Sequence, residues 1–263
     1  MEWQDTGIVL AARRHGEGHA IVDALTPGRG RARGYVRGAT SRRLRGVLEP
    51  GNEVALTWRA RLEQHLGAFQ VELVRARAGP LLGDPAKLAT LSAACTLLTL
   101  TLPEGEAHAG AFEALRAVLD LLAGLEVAPE AMAAALVRLE LGLLGDLGYG
   151  LDLSRCAATG ATSDLVYVSP RTGRAVSREA GRPYHDKLLP LPGFLLDSQA
   201  GWVTAETASA GLRLTGFFLE RLVLHPADRT LPDARGRLAA LLAPAPGAPP
   251  ETDGRDDAGA RTE

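Results

Sequence analysis

The chain has 263 residues, 46% hydrophobic and 23% charged, with a formal net charge of −2, the composition of a folded globular protein long enough for one large or two modest cores. Its two cysteines, Cys95 and Cys156, exclude a disulfide framework and fit a reducing cytoplasm. The acids beside Met1 do not suit a secretory leader, and the longest apolar run, residues 91–102, falls far short of the roughly 20 residues that span a bilayer.

Charge is unevenly placed along the chain. Residues 1–79 carry 13 Lys and Arg against 8 Asp and Glu, a balance of +5 that leaves −7 for the remainder. Such asymmetry points to an anionic partner for the first part.

The first 78 residues predict five short strands, at 6–13, 20–25, 33–39, 53–60 and 66–77, each β-branched or aromatic and bounded by Gly, Pro or Asn. Strands at this spacing predict a small barrel over residues 1–79, since closure removes the unpaired edges of short strands. Within it, PGRGRARGYVRGATSRRLRG (Pro27 to Gly46) holds seven arginines and no acid. Alternation along an extended strand sets Arg29, Arg31, Arg33, Tyr35 and Arg37 on one face, read as the outer one, and Gly30, Ala32, Gly34, Val36 and Gly38 on the other. Arg42, Arg43 and Arg45 follow in what reads as a loop between Gly38 and Gly46.

Guanidinium groups around one aromatic ring can grip phosphates and offer Tyr35 as a stacking platform, the chemistry of sequence-independent single-strand binding. Lysine occurs only at Lys87 and Lys187 against 27 arginines, so placement carries this reading, not arginine number. Arg13, Arg14, Arg59 and Arg61 extend the set on strand faces that the pattern leaves open. His15, His19 and Asp23 are four apart, but in a turn and strand that spacing does not align metal ligands. No phosphate-binding Gly-Lys-Ser/Thr loop, no Gly-x-Ser-x-Gly elbow and no placed Ser/His/Asp set occurs, so no enzyme is predicted.

After AGPLLGDP the period changes. Residues 85–102, 107–125 and 129–148 predict helices, a hairpin around SPRTG sits in an insert at about 151–182, and helices return at 204–225 and 233–243, making a second domain over 80–243. Val137, Leu141, Leu144 and Leu147 form an apolar stripe with Arg138 and Glu140 beside it. Residues 244–263 have no aliphatic side chain larger than alanine and read as a disordered acidic tail.

Three stretches together carry a resemblance: GRGRARGYVRGATSRRLRGVLEPG ending a barrel-like start, LELGLLGDLGYGLDLSRCAATG in the middle, and YVSPRTGRAVS followed by LLPLPGFL. Over about residues 1–243 the chain resembles the RecO family of recombination mediators. The resemblance implies an α+β multi-domain protein, an OB-fold barrel followed by a helical domain with a small zinc-ribbon-like hairpin insert. It implies no enzyme and no cofactor. It implies binding and annealing of single- and double-stranded DNA in the RecF/RecOR pathway of DNA repair, in the cytoplasm at the nucleoid and away from any membrane. The partners implied are RecR, in some organisms RecF, and the acidic tail of single-strand-binding protein, with RecA loaded as the outcome. Some members hold zinc with two Cys-x2-Cys pairs. Here Cys156, Thr159, Ser177 and Ala180 occupy those places, and one thiolate cannot hold a structural zinc, so the insert is expected to fold without metal. By the same resemblance, Arg138 clamps the partner peptide's carboxylate and Leu141 lines its groove. The competing readings are an OB-fold RNA-binding protein and an adaptor whose arginines dock an acidic protein without nucleic-acid affinity.

Overall fold

The computed structural model describes residues 1–62, 66–196 and 203–243; the predicted tail at 244–263 lies outside the described residues. Strands β1 (Glu2–His15), β2 (His19–Thr26), β3 (Gly30–Val36), β4 (Glu53–Arg59) and β5 (Gly67–Arg75) close into a barrel in the order β1-β2-β3-β5-β4. β1 is long enough to serve two partners. Glu2 to Ile8 pair with β4 and Ile8 to His15 with β2, with a register shift between Val9 and Ala11 at the changeover. There Val9 bonds instead to the β4 approach, its N–H donating to Asn52 O at 2.9 Å and its carbonyl accepting from Gly51 N at 2.8 Å. Closure rests on a short parallel contact, Gly34 with Gly67 and Tyr35 with Ala68.

Alternate residues fill the barrel: Val9, Val22, Ala32, Val36, Val54, Leu56, Trp58, Phe69 and Val71 form one buried cluster, as the period-2 pattern of a half-buried strand requires. Gly67 is where β5 passes the largest of these, and a Cβ there would lie 2.1 Å from the Trp58 ring. The arginine-rich segment after β3 is a short helix and not the predicted loop. α1 (Arg42–Val47) begins at Ser41, whose Oγ accepts from Leu44 N at 3.3 Å, the usual serine cap.

The helical half holds α2 (Pro85–Thr101), α3 (Ala109–Leu122) and α4 (Pro129–Asp146) close to the predicted spans. The insert is a three-stranded sheet, β7-β6-β8, built from β6 (Leu165–Val168), β7 (Ala175–Ser177) and β8 (Leu189–Pro190), with the one-turn helix α5 (Arg178–Gly181) after β7. α6 (Ala205–Leu219) then gives way to a wider π turn at Glu220–Leu224 where a continuous helix was predicted, and α7 (Asp233–Leu241) closes the described chain.

Barrel and helices pack as one body. Ile8, Leu10 and Leu25, on the outer face of β1 and β2, belong to the same apolar cluster as Leu91, Leu98 and Leu119 of α2 and α3. Glu140 lies beside Val137 and Leu144 of the α4 stripe, on the face that the other helices cover. It is fully buried, its carboxylate accepting from Arg235 Nε at 2.6 Å and Nη2 at 3.0 Å and from the Thr215 hydroxyl. Tertiary packing of α7 and α6 over α4 makes that acid an interior lock.

Candidate nucleic-acid interface

Along β3 the predicted alternation holds: Ala32 and Val36 point into the barrel, and Arg31, Arg33 and Tyr35 point out. What lies outside differs between the two ends. At the first end the chain leaving α2 runs along β3, with Gly105 N donating to Arg31 O at 2.9 Å. Gly30 is needed twice over, for its φ of +62° and because a Cβ would fall 1.6 Å from Glu106 O. Beneath this segment Arg31 is only 9% exposed, donating from Nη1 to Asp23 Oδ1 at 2.7 Å and from Nε to Leu102 O at 2.9 Å.

The expectation that Arg31 faces solvent with its neighbours is therefore corrected: the outer face of the barrel is covered here by the helical half. Arg33 is half-exposed, with Nε 3.3 Å from the same Asp23 oxygen and Nη1 3.9 Å from Glu104. Asp23, opposite Arg33 in register, and Glu104 supply the negative charge that the arginine run itself lacks.

At the other end of β3, Arg37, Arg42, Arg43 and Arg45 are all exposed. The β1–β2 turn folds against this corner through Thr40 N to Gly18 O at 3.4 Å and Gly38 N to His19 Nδ1 at 3.3 Å. Arg13 and Arg14 are exposed at the end of β1 that leads into this turn, and Arg14, His19, Arg45 and Glu49 line a shared cleft of about 510 Å³. Among the described residues none of these six arginines makes an ion pair. Tyr35 sits half-buried beside them, its ring 5.9 Å from His15 and 5.1 Å from His19. The run of seven arginines is thus divided by the length of one strand, about 20 Å from Arg31 to Arg37 at 3.3 Å per residue.

Arg29 is exposed at the first end, its guanidinium 5.1 Å from the Trp3 ring centre. Trp3 lies outside the first strand predicted at 6–13, because β1 begins four residues earlier, at Glu2, and nothing in the local pattern marked it. Arg59 pairs with Glu2 at 2.9 Å, the hydrogen bond holding that exposed carboxyl below its usual range, while Arg61 is exposed.

In the helical half Arg138 is exposed on α4, donating from Nη2 to Phe194 O at 3.2 Å with its guanidinium 5.3 Å from the Phe194 ring centre. Leu141 follows one turn later, half-buried. In the insert, Cys156 Sγ accepts from Ser177 N at 3.3 Å and Ser177 Oγ at 3.4 Å. Burial acts upward on this thiol, but the hydrogen bonds from Ser177 and Thr159 outweigh it and bring it from 9.0 down to about 6. A thiolate ringed by hydroxyl and amide donors is not a zinc ligand set, and these residues do not fit the metal. Among the described residues, no cluster of three or more metal-ligating side chains occurs and no helix is long and apolar enough to cross a membrane.

A five-stranded OB-like barrel with an arginine-lined corner, packed on a helical body that carries a small sheet, defines a class of barrel-and-helix proteins. Within that class, the family model described as "Recombination protein O N terminal" matches residues 1–77 and "Recombination protein O C terminal" matches residues 82–231. The chain is 53% identical over 245 residues to the DNA repair protein RecO of Caulobacter vibrioides (strain NA1000 / CB15N), covering 93% of this chain and 99% of that protein. To its namesake in Rhodospirillum rubrum it is 52% identical over 243 residues, covering 92% of this chain and 96% of the relative. To that of Rhodopseudomonas palustris (strain TIE-1) it is 48% identical over 239 residues, covering 89% and 93%. The chain belongs to the recombination protein O family, a family of DNA repair proteins.

Proposed function

We propose that the chain is a non-enzymatic mediator of recombinational repair that binds single- and double-stranded DNA through the cationic corner of its barrel. The observation that carries this reading is the set of exposed arginines that make no ion pair among the described residues, Arg13, Arg14, Arg37, Arg42, Arg43 and Arg45, on one end of an OB-like barrel. Such a corner neutralises phosphates of either sugar and either strand number. Two backbones held against it repel each other less, so base pairing decides which strands anneal. Tyr35 lies at the edge of the corner as a stacking ring, and Arg29, exposed at the other end of β3, is a separate cation, whereas Arg33 there is paired with Asp23 and lies near Glu104.

The partners in this reading are RecR, in some organisms RecF, and the acidic tail of single-strand-binding protein, with loading of RecA as the outcome. Arg138, exposed on α4 with Leu141 beside it, is the proposed contact for that tail's carboxylate. Loss of affinity for an acidic carboxy-terminal peptide in Arg138→Ala, with folding retained, is the expected result; unchanged affinity removes the assignment.

The DNA-binding reading is tested by affinity for a labelled single strand across a salt series. Replacing Arg37, Arg42, Arg43 and Arg45 with alanine removes four phosphate contacts. The slope of log affinity against log salt should flatten by about three units, at about 0.7 per contact. Equal slopes for wild type and variant overturn the proposed face.

A further inference from the structure

Among the described residues the β3–β5 closure consists of two residue pairs, at Gly34 and Tyr35, and the first half of β3 is met on that side by the Glu104–Gly105 segment, bridged to Arg31, in place of a strand. A groove of about 800 Å³ opens here, and its lining includes Trp3, Trp58, Arg29 and Arg33 together with Glu2, held by Arg59, and Glu104. Trp3 of β1 and Trp58 of β4 are directly paired across the sheet, their rings stacked at 5.8 Å and inclined by 14°. Phe69 meets Trp3 edge-on at 5.9 Å. Trp58 and Phe69 are buried in the barrel, while Trp3 is half-exposed and takes the guanidinium of Arg29. An indole held by two buried rings, with the exposed guanidinium of Arg29 over its open face, is a stacking platform with a cation at its rim.

We propose that this groove receives an unstacked nucleobase of a single strand, with Trp3 as the platform and Arg29 on the flanking phosphate. The proposal rests on the DNA-binding reading above and adds a second, structurally separate contact. Its logic is exchange: Arg29 occupies the indole until a base arrives, then moves to the phosphate that accompanies the base. Every base has a π-face, so the platform reads no sequence. A duplex keeps its bases stacked within the helix and cannot fill the groove. Arginines at the far corner bind either form of DNA, whereas the Trp3 groove favours the single-stranded form. The distance between the two sites, set by β3, would hold a strand extended across the barrel.

The test measures affinities of the full chain for labelled oligo-dT and for a blunt duplex of equal length. Trp3→Ala should weaken oligo-dT binding about tenfold, within the range for loss of one base–aromatic stack, and leave duplex binding unchanged, with Trp3→Phe restoring most of the loss. Equal loss on both DNAs, or no loss on either, overturns the groove. The variant Arg42/Arg43/Arg45→Ala separates the two readings. If it binds both DNAs normally while Trp3→Ala loses oligo-dT, the groove stands and the corner does not; if it weakens both while Trp3→Ala changes nothing, the reverse holds. Should Trp3→Ala fail to fold, Trp202→Phe leaves only Trp3 and Trp58 as emitting indoles. Quenching of their emission by oligo-dT but not by duplex supports the groove, and emission unchanged by oligo-dT overturns it.

Discussion

Arg31 donates to Asp23 at 2.7 Å, and the Asp23 side chain is wholly buried, so an arginine from the most basic stretch of the chain serves the interior. The same guanidinium reaches the Leu102 carbonyl at the end of α2. One side chain thereby joins β2, β3 and the helical half, and its charge is spent where no ligand can approach.

Removing it should behave as a folding defect. Arg31→Ala leaves Asp23 buried with Arg33 at 3.3 Å as its one ion-pair partner among the described residues, and breaking such a pair costs about 3–5 kcal/mol. Denaturant unfolding should show that loss, while the salt slope of DNA binding by the folded variant stays at the wild-type value. A flattened slope at full stability would return Arg31 to the DNA face.

The Glu140–Arg235 pair makes a parallel case in the helical half. Arg235→Met strands a buried carboxylate and should destabilise by about 3–5 kcal/mol, whereas Glu140→Leu with Arg235→Met should recover much of the loss, because well-packed apolar replacements of buried pairs are often tolerated. A double-mutant cycle by thermal unfolding checks this; additive losses would mean the two groups do not act as a pair.

Gly67 admits β5 past Trp58, and the ring would stand 2.1 Å from any added Cβ. Gly67→Ala should therefore cost about 1–3 kcal/mol, the usual range for overpacking, and should shift the near-ultraviolet circular dichroism of the Trp3–Trp58 stack. An unchanged spectrum and midpoint would show that the ring moves aside freely.

Cys156 gives the insert a pH dependence with a definite sign. Its thiol ionises at about 6 in the folded chain against an ordinary 9.0, so between those values the unfolded chain binds the extra proton and stability rises with pH. The contribution is complete above the unfolded value and disappears as pH falls through about 6. The stability difference between wild type and Cys156→Ala should widen as pH is raised across that window. A difference that stays constant would mean the thiol is not ionised, and a difference that narrows would mean its shift has the opposite sign.

Much of the architecture was readable in the residues because local rules decide it. Short β-branched or aromatic runs bounded by Gly, Pro or Asn gave β2 and β4, and three- and four-residue apolar spacing gave α2, α3 and α4. Proline at the first turn of α2 and α4 marked their starts. The reading of residues 42–45 as a loop missed α1, because a six-residue helix shows too little periodicity and rests on its Ser41 cap and on the burial of Val47. The candidate site was legible only in part. Arginines 37, 42, 43 and 45 lie on the surface as expected, and Tyr35 stands beside them.

The sequence by itself determined the five barrel strands and the long helices, the order of barrel then helices, and which way each β3 side chain leaves the sheet, since pleat and period are properties of neighbouring residues. Only the tertiary structure decided which of those outward side chains meet water. Arg31 and Glu140 are interior and Trp3 opens onto a groove because of segments distant in the chain, Leu102–Glu106, α7 and β4. Coverage is set by long-range packing, and no local pattern of charge or hydrophobicity encodes what will come to lie on top of it.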